Sequence, residues 1–146
     1  MHIDLPLKVA VIEDDKFQNQ VLTSMVNKVE GLVAVPLQNP LEALHEIEKN
    51  KIRVVLTDIV LPDMYGDDLI KKYRNFDWFI DFIVTTGMEK MLVSYRCFNL
   101  GAREVFIKPI DEKLMHESLN LILRRYKRWN DTVKHIVEKK QKPPEP

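Results

Sequence analysis

A chain of 146 residues fits one domain with a buried core of its own. Lysine plus arginine equal aspartate plus glutamate at 22 each, so the formal net charge is zero, which argues against a general nucleic-acid or membrane-surface binder. The one cysteine, Cys97, excludes an intrachain disulfide and any metal site built on several thiolates, and it fits a reducing, cytoplasmic setting.

The opening MHIDLPLKVAVIEDD has no basic stretch ahead of an apolar run, which speaks against a signal peptide. No apolar run is long enough to span a bilayer. LKVAVI, residues 7–12, reads as a strand buried on both faces, closed by Glu13, Asp14 and Asp15. Phe17, Val21, Met25 and Val29 recur every four residues and predict the apolar stripe of a helix ended by Gly31. A second strand follows at 32–35. Asn39, Pro40 and Glu42 carry a helix start, with Asn39 as cap, and that helix runs to about Asn50.

Residues 53–57 form a third buried strand that stops at Asp58. The loop IVLPDMYG leads into a helix at 67–74, with Pro62 and Gly66 shaping the turn. A fourth strand at 79–85 ends in Thr85, Thr86 and Gly87, and a helix at 89–100 is closed by Gly101. The fifth strand, 104–107, ends at Lys108-Pro109, and a last helix starts near Asp111. Strand and helix alternate five times, which predicts an α/β fold with a five-stranded parallel sheet covered on both faces.

Ligands of open parallel sheets bind outside the carboxyl ends of the strands. Glu13 and Asp14, Asp58, Thr85 and Lys108 all fall on that rim, from four separate strands. Three carboxylates so placed raise one another's pKa unless a hard cation relieves them. Mg²⁺ suits such oxygen ligands, with Asp14 and Asp58 as direct ligands and Glu13 acting through water. A carboxylate can take a phosphoryl group, and that step needs mainly positioning and charge neutralisation. Asp58, in the middle of the rim, is the expected nucleophile. Lys108 would neutralise phosphoryl oxygens and Thr85 would donate a hydrogen bond to one of them.

The segments VIEDD, LTDIVLPDMYG, FIVTTG and GAREVFIKPI, in this order and spacing, resemble the receiver domain of bacterial two-component response regulators, over about residues 7–123. The resemblance implies the flavodoxin-like strand order 2-1-3-4-5. It implies a sensor histidine kinase or phosphotransfer protein as donor, and a magnesium site at Glu13, Asp14 and Asp58 with the Val60 backbone carbonyl as a further ligand. It also implies a cis peptide between Lys108 and Pro109. The expected activity is that of a phosphoacceptor that switches partner or dimer state, not of a turnover enzyme.

Two positions depart from the family pattern. Val105 stands where a switching aromatic is usual, three residues before the lysine, and Phe106 should face the opposite side of the sheet. Val60 and Gly87 offer no polar side chain to align a water, so self-dephosphorylation should be slow. One alternative is a dehalogenase-like metal-dependent phosphohydrolase. That class needs an acid two residues after the nucleophile, where this chain has Val60, and its nucleophile follows the first strand. A second alternative is a receiver-shaped interaction module that is never phosphorylated.

Met115, Leu119, Ile122, Tyr126, Trp129, Val133 and Ile136 follow a heptad seam. The helix carrying them could reach about Lys139, roughly 28 residues and about 42 Å. The expected organisation is a receiver over 1–124, a helical extension over 125–140 that pairs with a second copy or leads to an output domain, and a disordered tail at 141–146. Neither a membrane nor a nucleic acid is an expected partner.

Overall fold

The computed structural model describes residues 1–87, 90–141 and 144. The main sheet comprises β1 (Leu7–Ile12), β2 (Leu32–Leu37), β3 (Val54–Asp58), β6 (Asp81–Thr86) and β7 (Glu104–Ile107). Its order is β2-β1-β3-β6-β7 and every pairing is parallel. This is the flavodoxin-like order 2-1-3-4-5. Two further strands, β4 (Val60–Leu61) and β5 (Met64–Tyr65), form a small antiparallel hairpin inside the segment expected to be loop. Asp63 has a φ of 63° there, the left-handed conformation that so tight a reversal demands.

Side chains of each strand alternate between two cores. Ala10, Ile12, Val55 and Val84 face α2 (Pro40–Asn50), α3 (Gly66–Tyr73) and α4 (Met91–Asn99). Val9, Val11, Leu56 and Ile83 face α1 (Lys16–Asn27) and α5 (Glu112–Gln141). Asn39 caps α2, its side-chain oxygen accepting from the Glu42 N–H at 2.8 Å, with Pro40 at the first helical position.

Four local expectations need correction. Strand β2 runs on through Pro36 to Leu37, because an edge strand tolerates a residue with no N–H to give the ladder. Strand β6 begins at Asp81 rather than 79, leaving Phe79 outside and exposed. Helix α1 ends at Asn27, before Gly31, and it buries Asn19, Leu22 and Val26. The apolar stripe headed by Phe17 is only half buried: Phe17 is 73% exposed and Val21 39%, while Met25 packs against the core and Val29 lies within it.

Helix α5 is continuous to Gln141, so that residue belongs to it rather than to a disordered tail. The disorder expected at 142, 143, 145 and 146, and the helix start at Glu89, lie outside the described residues. The heptad seam is divided between two tasks. Met115, Leu119, Ile122 and Tyr126 are buried against the domain's own sheet, and Ile136 is exposed. Between them, Trp129 donates to the Met1 carbonyl at 2.8 Å. Asn130 bonds both the N–H and the carbonyl of Ile3, each at 2.8 Å. Among the described residues no helix is long and apolar enough to cross a membrane.

Candidate functional site

Two neighbouring strands end on one rim and deliver the three acids. The Ile12 end of β1 passes directly to Glu13 and Asp14, and Asp58 closes β3. Glu13, Asp14 and Asp58 each bring a carboxylate oxygen within 4.8 Å of the others. Glu13 is 1% exposed, Asp58 is half-buried and Asp14 is open to solvent. Lys108, just beyond β7, reaches across: its ammonium donates to Glu13 Oε1 at 3.1 Å, Asp58 Oδ2 at 3.2 Å and Gln18 Oε1 at 2.6 Å. The Lys108-Pro109 peptide is cis, and so is Leu5-Pro6.

The electrostatics follow from this crowding. Burial first, and then the Asp58 charge, push Glu13 up to about 7, against the opposing pull of Lys108. Burial alone would lower Lys108, but the facing Asp58 and Glu13 charges outweigh it and hold the ammonium above its usual value. One ammonium therefore balances two carboxylates directly, while Asp14 has no such partner among the described residues. The Glu13 Oε2 atom is buried and has no hydrogen-bond partner among the described residues. Three oxygen donors, an excess of negative charge and an orphaned carboxylate oxygen together fit a small divalent cation with oxygen preference.

Thr85 lies directly across from Asp58 in the β3–β6 register, and the Ile59 N–H donates to its carbonyl at 2.9 Å. The Thr85 hydroxyl is buried with no hydrogen-bond partner among the described residues. Asp58, Thr85 and Phe106 form one row across β3, β6 and β7. Phe106 packs toward the core of α1 and α5, whereas Val105 packs toward that of α2, α3 and α4. The two side chains thus face opposite ways, as the strand alternation predicts, and the aromatic level with Thr85 is Phe106.

Val60 opens the hairpin beside Asp58, its N–H 3.5 Å from Asp58 Oδ1, and its side chain is exposed. At Gly87 a Cβ would meet none of the described residues within 4 Å. Gly66 sits closer in: a Cβ there would approach the Ile59 backbone to a tight 3.3 Å, and the Gly66 N–H donates to the Ile59 carbonyl at 2.7 Å. The loop thereby closes against the residue that follows Asp58.

Sequence reasoning missed two residues of α1. Gln18 holds the Lys108 ammonium. Asn19 is buried, and its amide donates to the carbonyls of Leu37, Glu13 and Val11 at 2.9, 3.0 and 3.3 Å. It ties the helix to the ends of β1 and β2 beneath the acidic pair. The signal was the spacing of Asn19, Leu22 and Val26, a three-then-four stripe competing with the one headed by Phe17.

The chain belongs to the response regulator receiver domain family, whose model matches residues 9–120. Over 115 residues it is 27% identical to the chemotaxis protein CheY of Thermotoga maritima, covering 79% of this chain and 96% of that one. It is 29% identical to the regulatory protein VanRc of Enterococcus gallinarum over 92% of this chain and 58% of that longer one. A crystal structure of a receiver domain protein from Clostridium thermocellum superposes with a TM-score of 0.76 at 22% identity, covering 84% of this chain and 98% of that one, and shows the shared fold. The chain is accordingly a phosphoaccepting receiver of two-component signalling, and the phosphohydrolase alternative is not favoured.

Proposed function

We propose that Asp58 is the phosphoacceptor and that Glu13, Asp14, Asp58 and the Val60 carbonyl hold Mg²⁺ while it is loaded. The observation that carries this reading is the convergence of three carboxylate oxygens within 4.8 Å on one ammonium-bearing rim. When bound, Mg²⁺ supplies the positive charge that lets a phosphoryl group approach a cluster of acids. Lys108, released from the Asp58 carboxylate, carries its charge to the phosphoryl oxygens. The buried Thr85 hydroxyl has a hydrogen bond to give and donates it to one of them. Asp58 and Thr85 are register partners on neighbouring strands, so a phosphorylated carboxylate would lie on the same face of the sheet as that hydroxyl.

The donor is a phosphohistidine of a sensor kinase or phosphotransfer protein in the cytoplasm. An apolar groove lies beside the rim, lined by Phe17, Val21, Met25, Pro109 and Ile110, with Lys108 shared between groove and site. A helix of the donor seated there would bring its histidine to Asp58. The exposed end of the α1 stripe, Phe17 and Val21, thus becomes the docking face.

The receiver unit takes in α5 through Asn130, because Tyr126 is buried and Asn130 is tied to Ile3. Beyond it, exposed Ile136 and Val137 suit pairing with a second copy. Sedimentation of the full chain and of one cut after Asn130 tests this; equal monomeric masses contradict it. A cut after Arg124 would remove the buried Tyr126 and confound the result.

The test of the main reading is an intact-mass measurement after incubation with acetyl phosphate. One added phosphate is expected with Mg²⁺, and none without the metal or in Asp58→Asn. Label on Asp58→Asn would overturn the assignment. Turnover is not expected: Val60 and Gly87 align no water, so the phosphate persists for far longer than seconds. Val60→Gln should shorten its lifetime several-fold, and a wild-type label lost within seconds contradicts this.

A further inference from the structure

At the opposite end of β6 from Thr85 lies a second concentration of charge. Asp81 is 3% exposed there and has no part in the rim. Its Oδ2 accepts from the Tyr126 hydroxyl at 3.2 Å and its Oδ1 from Arg103 at 3.5 Å, with Arg125 at 3.8 Å. Burial raises its pKa, and Arg103, Arg125 and Tyr126 pull it back. Above it is a recess of about 550 Å³, walled by Lys51, Arg53, Arg125, Phe79, Tyr126 and Trp129. None of the described residues lining it is acidic.

Arg53 is half-buried and has no ion-pair partner among the described residues. Its guanidinium is the unmatched group of the recess, since Arg125 shares Asp81 and stacks 5.0 Å from the Phe79 ring centroid. The Lys51 ammonium rests 5.7 Å from the Trp78 ring centroid, at the margin of the recess. Phe79 and Trp129 remain 57% and 42% exposed, two aromatic surfaces with no partner in the chain's own core. A planar, rigid fork beside exposed aromatic surface is a recognition set for an anion that also carries a ring. The charge balance narrows the class. Three cations line the recess, and the one carboxylate beneath is shared with a fourth, Arg103. That excess matches a phosphate monoester, with close to two negative charges at neutral pH.

We propose that this recess is a second ligand site, for a small phosphate-bearing aromatic anion of the mononucleotide class. The phosphate meets Arg53, and the ring lies against Phe79 or Trp129. The site is independent of Asp58 and lies where α5 meets the amino-terminal segment, so occupancy braces that junction.

The probe is adenosine 5′-monophosphate, titrated into the full chain carrying Trp78→Phe so that Trp129 alone reports by fluorescence. Saturable quenching with a Kd below about 1 mM is expected. Adenosine and inorganic phosphate, each tested alone, should bind at least tenfold more weakly, as should the monophosphate to Arg53→Gln. Arg53→Gln should still accept phosphate on Asp58, which shows that it is folded. Should that variant fail to fold, the exposed Phe79→Ala replaces it, with the same tenfold loss expected. No saturable change overturns the proposal. So does unaltered affinity in the folded variant, or phosphate alone binding as tightly as the monophosphate.

Discussion

Lys108 holds two carboxylates at once, and Glu13 bears the cost of their nearness. Its raised pKa fixes the sign of two pH effects. In the metal-free chain the protonated form is favoured by folding, so its stabilising contribution is complete below the ordinary value of 4.5 and is lost as pH rises through about 7. Mg²⁺ requires the ionised form. Its affinity should therefore fall by about tenfold per unit as pH drops below 7, with a plateau above it. Calorimetric titration between pH 6 and 8.5 checks this, and a flat profile would remove Glu13 from the site. Thr85 makes the opposite kind of test. Its buried hydroxyl has no partner among the described residues. Thr85→Val should leave the unphosphorylated chain as stable or stabilise it by about 1 kcal/mol in urea unfolding. A loss larger than that would mean the hydroxyl is already bonded. Asn19→Ala, by contrast, removes a buried amide donor shared by three carbonyls, of which Leu37 keeps the Glu13 N–H, and should cost about 1–3 kcal/mol.

At the scale of elements, strand ends were legible and helix faces were not. The runs LKVAVI and RVVLT are buried on both faces, so their composition alone marks them, and the polar residue at each end marks the rim. Helix α1 offered two apolar stripes. Periodicity cannot choose between them when one carries a polar residue, and it was the polar Asn19 that belonged inside. The tail helix had the same difficulty: a seam that looked like a pairing surface is half consumed by the chain's own sheet, with Tyr126 drawn in by Asp81. The setting of Asp81 was not legible either, because its partners Arg103, Arg125 and Tyr126 come from distant parts of the sequence. The contact of Asn130 with Ile3 was likewise invisible, being set by where the helix crosses the first residues. Asn130→Ala should speed hydrogen exchange at the Ile3 amide several-fold while leaving the melting temperature within a few degrees. An unchanged exchange rate would show that Ile3 is held by other contacts.

Across the whole molecule, one sheet presents chemistry at both ends. The carboxyl ends of β1, β3 and β6 and the residue after β7 assemble Glu13, Asp58, Thr85 and Lys108, and the parallel order makes that convergence unavoidable. The amino ends carry the Arg53 recess and the departure of α5. The rim could be read before any coordinates because parallel strands place all their carboxyl ends together. The far end could not, because nothing in the strand order says which loops and termini will cover it. The claim on which the rest depends is that the phosphate sits on Asp58. Borohydride reduction of the phosphorylated chain, followed by tandem mass spectrometry, locates the acyl phosphate directly. The expected result is a single reduced residue, at position 58. Reduction at Asp14, Asp63 or any other acid instead would contradict the account.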